Sequence, residues 1–297
     1  MSNSTLANPK ALSVALQEQG ITLSHALGQN FLVNKSIVDK IVKLANANSN
    51  DVILEVGPGA GTLTQALLET GAKVVAIEKD KRLKNLLLKN LEAYSENFRL
   101  MEGDALNWKK LLWSNENLPN FCPNKLVANL PYNIAATLVL DVFQQMESLE
   151  SATVMVQKEV ADRMRADVGT KNYGAYTVKL RLFAEYMDSF FVSRNNFLPA
   201  PRVDSAVIRI DRIRGSELIQ QILKNACKSA DAAFFNRRKT IYNSCKTNFA
   251  NIKPANILAW LEECGIDPKI RGEKLKPKEY IKLGIEFDNF FNKCNNK

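Results

Sequence analysis

Four consecutive residues, Asn129, Leu130, Pro131 and Tyr132, could hold an amino group. The apolar run Leu126–Ala128 leads into them and reads as the end of a buried strand. Proline then fixes the backbone. The stretch presents a side-chain amide, a rigid peptide carbonyl and a flat ring. The amide and the carbonyl both accept hydrogen bonds from an amine, and a ring stacks on a base. Such a site suits the exocyclic amine of an adenine. A second aromatic, Phe197, sits on the proline-stiffened stretch Phe197–Arg202 and is expected either to wall the base pocket opposite Tyr132 or to be a core residue.

A second group of polar residues falls at the ends of apolar runs. Val52–Val56 is an apolar strand broken by Glu55; it enters Gly57-Pro58-Gly59-Ala60-Gly61, and a helix follows from Thr62. Strand, glycine turn and helix form the nucleotide-binding opening of a doubly wound sheet. Thr62 stands where a dinucleotide fingerprint has its third glycine, which turns the reading away from NAD. Glu55 suits a cationic ligand such as a sulfonium amino acid, or else caps or pairs locally. Glu78 follows the strand Lys73–Ile77, 21 positions after Gly57, where an acid can accept both hydroxyls of a ribose. Its plain alternative is an exposed acid in Glu78-Lys79-Asp80-Lys81. Asp104 closes a third strand, Phe98–Met101, and can accept from an adenine amino group. Ligands of open α/β sheets sit at such strand ends.

The elements that must position these groups alternate. A helix over 11–19, a polar turn at Gly28–Asn30, a helix through Ile37–Leu44 and a helix over 82–91 are expected between or before the strands. Further strands are expected over 153–157, 187–192 and 205–210. Gly169–Gly174, with Tyr173, reads as a flexible loop that either lies over substrate or is plain surface. From Gly215 the pattern is helical, with short helices over 254–264 and 277–285. The expected fold is α/β: a Rossmann-like, seven-stranded domain over 25–213, a tail over 1–24, and a small basic helical domain over 214–297.

Composition narrows the chemistry. The 297 residues are 46% hydrophobic and 24% charged, which suits a packed core rather than disorder. No apolar run approaches membrane-spanning length, and the first ten residues do not read as a secretory signal. The five cysteines are scattered, which fits a reducing cytosol and argues against a zinc knuckle. His25 is the only histidine, so Ser-His-Asp, Cys-His and multi-histidine metal chemistry are excluded. The net charge of +9 is uneven: residues 214–297 hold 16 Lys and Arg against 9 Asp and Glu, the rest 24 against 22. The C-terminal third is therefore expected to bind a polyanion, with Arg237, Arg238 and Lys239 on phosphates.

Taken in order, Leu27–Leu32, Glu55–Gly61, Ile77–Asp80, Gly103–Leu106, Asn129–Asn133 and Phe197–Ile210 resemble the motifs of the ribosomal RNA adenine N6,N6-dimethyltransferases. Leu130 and the Phe234–Thr240 cluster are closer to the small-subunit branch than to the macrolide-resistance enzymes of the large subunit. The resemblance implies S-adenosylmethionine as methyl donor, no metal, and two adjacent adenines near the 3′ end of 16S rRNA in the small ribosomal subunit as acceptors. It also implies that Asn30, Leu32, Gly57, Glu78, Asp104 and Asn129 line the donor site. Asn129, Leu130, Pro131, Tyr132 and Phe197 would hold the target base. A cytoplasmic monomer is expected. One departure is Leu23-Ser24-His25-Ala26-Leu27, where the family usually carries several cations.

Overall fold

The structure is a computed structural model and describes residues 7–22, 29–113, 121–214 and 220–291. The first half of the chain runs through α1 (Pro9–Glu18), β1 (Phe31–Leu32), α2 (Lys35–Ala45), β2 (Val52–Val56), α3 (Thr62–Leu68), β3 (Lys73–Glu78), α4 (Lys84–Asn90), β4 (Phe98–Glu102), α5 (Trp108–Trp113), β5 (Lys125–Asn129) and α6 (Ala135–Gln145). The second half adds β6 (Ser151–Gln157), α7 (Lys158–Met164), α8 (Ala175–Arg181), β7 (Ala184–Val192), β8 (Phe197–Leu198), β9 (Ser205–Arg212), α9 (Gln220–Phe234), α10 (Ile241–Asn248), α11 (Pro254–Glu263) and α12 (Pro277–Phe291).

Among the described residues seven strands form one sheet in the order β4-β3-β2-β5-β6-β9-β7. Neighbours from β4 to β6 are parallel, whereas β9 runs antiparallel to β6. Strands buried on both faces must be apolar at every position. Ile53, Val74 and Val127 join the side chains of α2 and α3 in one core, while the alternate residues Leu54, Val75 and Leu126 are equally buried. The strand order reverses between β2 and β5, and their carboxyl ends open the crevice where α/β sheets bind ligands. A seven-stranded Rossmann-like sheet is what the sequence leads one to expect.

At the opposite edge of the sheet, the amino ends of β2 and β5 are pinned by a buried ion pair. Lys125 Nζ lies 2.8 Å from Asp51 Oδ2 and donates to the Asn46 carbonyl at 2.8 Å. Asn124 and Asn48 also donate to the Asp51 carboxylate. Asn46 adopts φ 48° as the left-handed cap of α2, which turns its carbonyl toward the lysine. This network joins the starts of β2 and β5.

The chain divides into two units. One comprises the described residues of Met1–Ala161 with Tyr186–Arg212; the other comprises those of Asp162–Glu185 with Ile213–Lys297. Asp162–Glu185 lies within the 25–213 span read from the sequence as one domain. Val178 and Leu182 of α8 complete a helical core with Ala226, Trp260 and Leu283, which is why Asp162–Glu185 groups with the C-terminal helices. Tyr173 belongs to the same core: it is fully buried and donates to the Leu275 carbonyl at 2.8 Å, so it does not project from a mobile loop.

Residues 1–24 are not a tail throughout. Asn8 caps α1 by accepting from Lys10 N and Ala11 N, and Leu12 and Leu16 bury against Phe31, Leu83 and Leu86. Their i, i+4 spacing is the apolar stripe of a docked helix. The helix expected over 254–264 is present, and the one expected over 277–285 continues to Phe291. The segment α10 goes unrecognised in the sequence, where its polar residues mask a helix capped by Thr240. Leu23–Gly28 and residues 215–219 lie outside the described residues. No helix among the described residues is long and apolar enough to cross a membrane.

Candidate active site

A cavity of about 260 Å³ opens at the carboxyl ends of β2, β3, β4 and β5. It is lined by Asn30, Leu32, Gly57, Glu78, Asp104, Asn129, Leu130, Pro131 and Tyr132. The structure thus brings nine of the ten residues singled out for donor and base binding to one place.

The glycine turn forms the floor. Gly57 and Gly59 have φ of 70° and 61°, which side chains rarely adopt. A Cβ on Gly59 would stand 2.8 Å from the Phe31 ring, so only glycine fits there. Phe31, an apolar residue with no motif to mark it, is in this way part of the site.

Two carboxylates stand at neighbouring strand ends. Glu78 accepts from Gly59 N at 3.2 Å and Asp80 N at 2.8 Å, which fixes its orientation. Burial pushes its carboxyl above the ordinary glutamate range against the pull of these backbone N–H groups. Asp104 accepts from Lys79 Nζ at 2.8 Å and from Leu106 N at 3.0 Å. The Lys79 ammonium, helped by the Leu106 N–H, holds Asp104 below the ordinary aspartate range. Lys79 is a site residue that no local sequence signal marks, since its partner Asp104 lies 25 positions away. Gln29 also lines the cavity and donates to Asp80 Oδ2 at 2.7 Å.

Glu55 is almost wholly buried, and its Oε2 has no hydrogen-bond partner among the described residues. Burial pushes the carboxyl up to about 8. An unpaired buried acid is costly when charged. Its folded value lies above the ordinary 4.5, so the folded chain holds the extra proton between those limits. Stability is therefore expected to fall as pH rises from about 4.5 to about 8. Glu55→Gln removes the titration. In urea unfolding, the stability gained by the variant over the parent should widen from pH 5 to pH 8; a constant difference would contradict this charge state.

Asn129 ends β5 with its amide fixed. Its Nδ2 donates to the Asn30 carbonyl at 3.0 Å. Only the NH₂ side of an amide can make that bond, so Oδ1 is left as the acceptor. Leu130 N donates to the Met155 carbonyl at 3.1 Å, and Ile134 N to the Pro131 carbonyl at 3.1 Å, which hold the intervening peptide. Tyr132 Oη and Ser205 Oγ share a hydrogen bond of 2.7 Å. The ring is therefore tethered at its far end.

Phe197 is not brought to the cavity. It pairs with Leu32 across the short antiparallel ribbon of β1 and β8 and is 4% exposed in the core. Arg237 has partners within its own unit. Its Nε donates to Glu273 Oε2 at 3.0 Å and its Nη2 to the Thr170 carbonyl at 3.1 Å, so it braces its own unit. Arg238 and Lys239 are exposed, with no ion pair among the described residues.

The site's chemistry fits the donor implied by the sequence. Glu78, ending β3, can take a ribose diol, and Asp104, two residues beyond β4, an adenine amine. Among the described residues no three His, Cys, Asp or Glu side chains group to hold a metal.

Comparison with known proteins agrees with this chemistry. The sequence profile described as "Ribosomal RNA adenine dimethylase" matches residues 21–289. "Ribosomal RNA small subunit methyltransferase A" of Clostridium botulinum is 38% identical over 257 residues, 86% of this chain and 91% of that protein. The protein of the same name from Staphylococcus haemolyticus is 36% identical over 98% of both chains. A crystal structure of a dimethyladenosine transferase from Plasmodium falciparum has a TM-score of 0.69 at 28% identity, covering 87% of this chain and 98% of that one. The 23S rRNA methyltransferase ErmE has a TM-score of 0.63 at 25% identity, covering 87% and 100%. The match runs through the glycine turn, both strand-end acids and the Asn129 stretch, and the chain belongs to the ribosomal RNA adenine dimethylase family.

Proposed function

We propose that this enzyme transfers methyl groups from S-adenosylmethionine to N6 of two adjacent adenines near the 3′ end of 16S rRNA, forming N6,N6-dimethyladenosine. The small subunit is its substrate, and it works as a cytoplasmic monomer. The observation that carries the reading is the amide of Asn129, turned by the Asn30 carbonyl so that Oδ1 accepts.

When bound, the donor supplies a methyl group already activated by a positive sulfur. Glu78 binds its ribose hydroxyls and Asp104 its adenine amine. Asn30, Leu32 and Gly57 shape the wall beside them. The difficulty lies in the acceptor, because the N6 lone pair is delocalised into the purine ring. Asn129 Oδ1 and the Leu130 carbonyl accept the two N6 hydrogens and favour a pyramidal nitrogen. They also stabilise the positive charge that develops there, and being held in advance they need no reorganisation. Tyr132, tethered to Ser205, stacks on the extruded base. Phe197 acts on the site through Leu32, its register partner, rather than as a second wall. Alignment of acceptor and methyl supplies much of the remaining rate. As the N–C bond forms the S–C bond breaks, leaving a neutral thioether, and the methylated nitrogen then releases one proton to water. The monomethylated amine has one hydrogen left, so the second round uses one of the two acceptors and turns the first methyl aside.

Incubating unmodified small subunits with the donor, then digesting the rRNA to nucleosides, tests the proposal. Dimethyladenosine should form in small subunits and not in naked large-subunit rRNA. Methylation confined to the large-subunit RNA would move the enzyme to the other branch, and methylation of neither would refute transfer.

A further inference from the structure

The two phenylalanines at the end of α9 part company. Phe234 turns inward, where its ring meets those of Tyr173 and Tyr280 at centroid distances of 6.1 and 6.4 Å. Phe235 is 57% exposed. A single exposed apolar side chain is ordinary; the setting of this one is not. The turn that carries it, Phe235–Lys239, is fastened at several points. Ser244 Oγ donates to the Ala232 carbonyl at 2.7 Å and accepts from Asn236 N at 2.9 Å. Lys239 N donates to the Asn236 carbonyl at 2.9 Å. Arg237 is spent on Glu273 and the Thr170 carbonyl. At Gly272 a Cβ would come within 3.1 Å of the Ala233 carbonyl, so α9 and the 272–274 turn are in close contact. What this fixed turn offers outward is one aromatic ring and the two cations of Arg238 and Lys239.

We propose that Phe235 is a stacking platform for an unpaired RNA base, with Arg238 and Lys239 binding the phosphates on either side. The proposal rests on ribosomal RNA being the substrate, as set out above. Positive charge beside a rigid aromatic is the composition by which proteins hold single strands: cations follow the backbone, and every base has a face to stack. A ring on a fixed turn loses little conformational freedom on stacking. The 16 to 9 excess of basic residues over 214–297 makes a polyanion the fitting partner, rather than an apolar protein surface. Arg237 contributes by holding the turn, so of the three consecutive cations two reach RNA.

The two contact types differ in salt dependence. Phosphate contacts release counterions, at a slope of about 0.7 per contact for single strands, and stacking releases none. The test uses the full chain without methyl donor. Its probes are a labelled single-stranded RNA of about ten nucleotides and the same sequence in a perfect duplex, each titrated over a salt series. Phe235→Ala should weaken single-strand binding about tenfold at unchanged salt slope, and leave duplex binding nearly unaltered. Phe235→Trp should bind the single strand at least as well as the parent. Arg238→Ala with Lys239→Ala should reduce the slope by about 1.4. Unchanged single-strand affinity in Phe235→Ala, an equal loss on duplex, or a loss with Phe235→Trp as large as with alanine would overturn the platform. Thermal unfolding of the alanine variant should match the parent; a fall in its midpoint together with weaker binding would make Phe235 structural and also overturn it. The readout is separate from methyl transfer. A parent chain that binds RNA but forms no dimethyladenosine sinks the transfer reading alone, and a failed Phe235 series sinks this one alone.

Discussion

Asn129→Ala is expected to slow methyl transfer by about 10²–10³-fold, the usual cost of removing one preorganised polar group from a reacting centre. Donor affinity should change only a few-fold. The reasoning starts from the fixed amide: the Asn30 carbonyl takes up the NH₂ side, so the carbonyl side is committed to accepting. Alanine removes the acceptor that matters most as charge grows on N6, while Glu78 and Asp104 continue to hold the donor. Asn129→Asp sharpens the expectation. Aspartate keeps the shape and has oxygens to offer, but a carboxylate cannot donate to Asn30 and would be repelled by its carbonyl. It should therefore fail to restore turnover. Calorimetric titration of the donor beside single-turnover rates checks both variants. Equal losses in binding and turnover would assign Asn129 to the donor instead of the base.

The second large effect concerns the foundations of the sheet. Lys125→Met is expected to cost about 3–5 kcal/mol of stability, the range for removing one partner of a buried ion pair. Asp51 is 4% exposed and receives the lysine at 2.8 Å. With the ammonium gone, its carboxylate keeps amide donors from Asn48 and Asn124 but loses its ion-pair partner, and the nearby Arg209 guanidinium is already paired with Asp211. The Asn46 carbonyl loses the lysine as well and keeps the longer bond from Asn48 Nδ2 at 3.3 Å. Urea unfolding of the parent, Lys125→Met and the double variant with Asp51→Asn measures this. The double variant should recover much of the loss, because the stranded charge is removed. A single variant within 1 kcal/mol of the parent, roughly the value of a surface pair, would show the ion pair to be dispensable.

Much of the site can be read from the sequence because it is built from residues with few alternative uses. Glycines at 57 and 59 in an apolar context announce backbone of positive φ, and the acids at 78 and 104 close apolar runs whose ends must meet at one edge of a parallel sheet. The Asn129–Tyr132 stretch is similarly plain. What was hidden depends on partners distant in the chain. Phe197 reads the same whether it walls a pocket or fills a core, and nothing local to it announces its pairing with Leu32. Arg237 looks like its neighbours until Glu273, 36 positions away, is found beside it. Lys79 resembles any exposed lysine until Asp104 is placed at 2.8 Å. The grouping of Asp162–Glu185 with the C-terminal helices was likewise invisible, since an amphipathic helix such as α8 does not name the core it joins. The docking of α1 could have been found: Leu12, Leu16 and the Asn8 cap are all in the sequence.

The most direct measurement is a crystal structure of the enzyme with S-adenosylhomocysteine and adenosine. The account predicts adenosine N6 at about 3 Å from both Asn129 Oδ1 and the Leu130 carbonyl oxygen, with Asn129 Nδ2 still on the Asn30 carbonyl and the purine against Tyr132. An Asn129 amide turned away from N6, or occupied by the donor's amino acid portion, would contradict it.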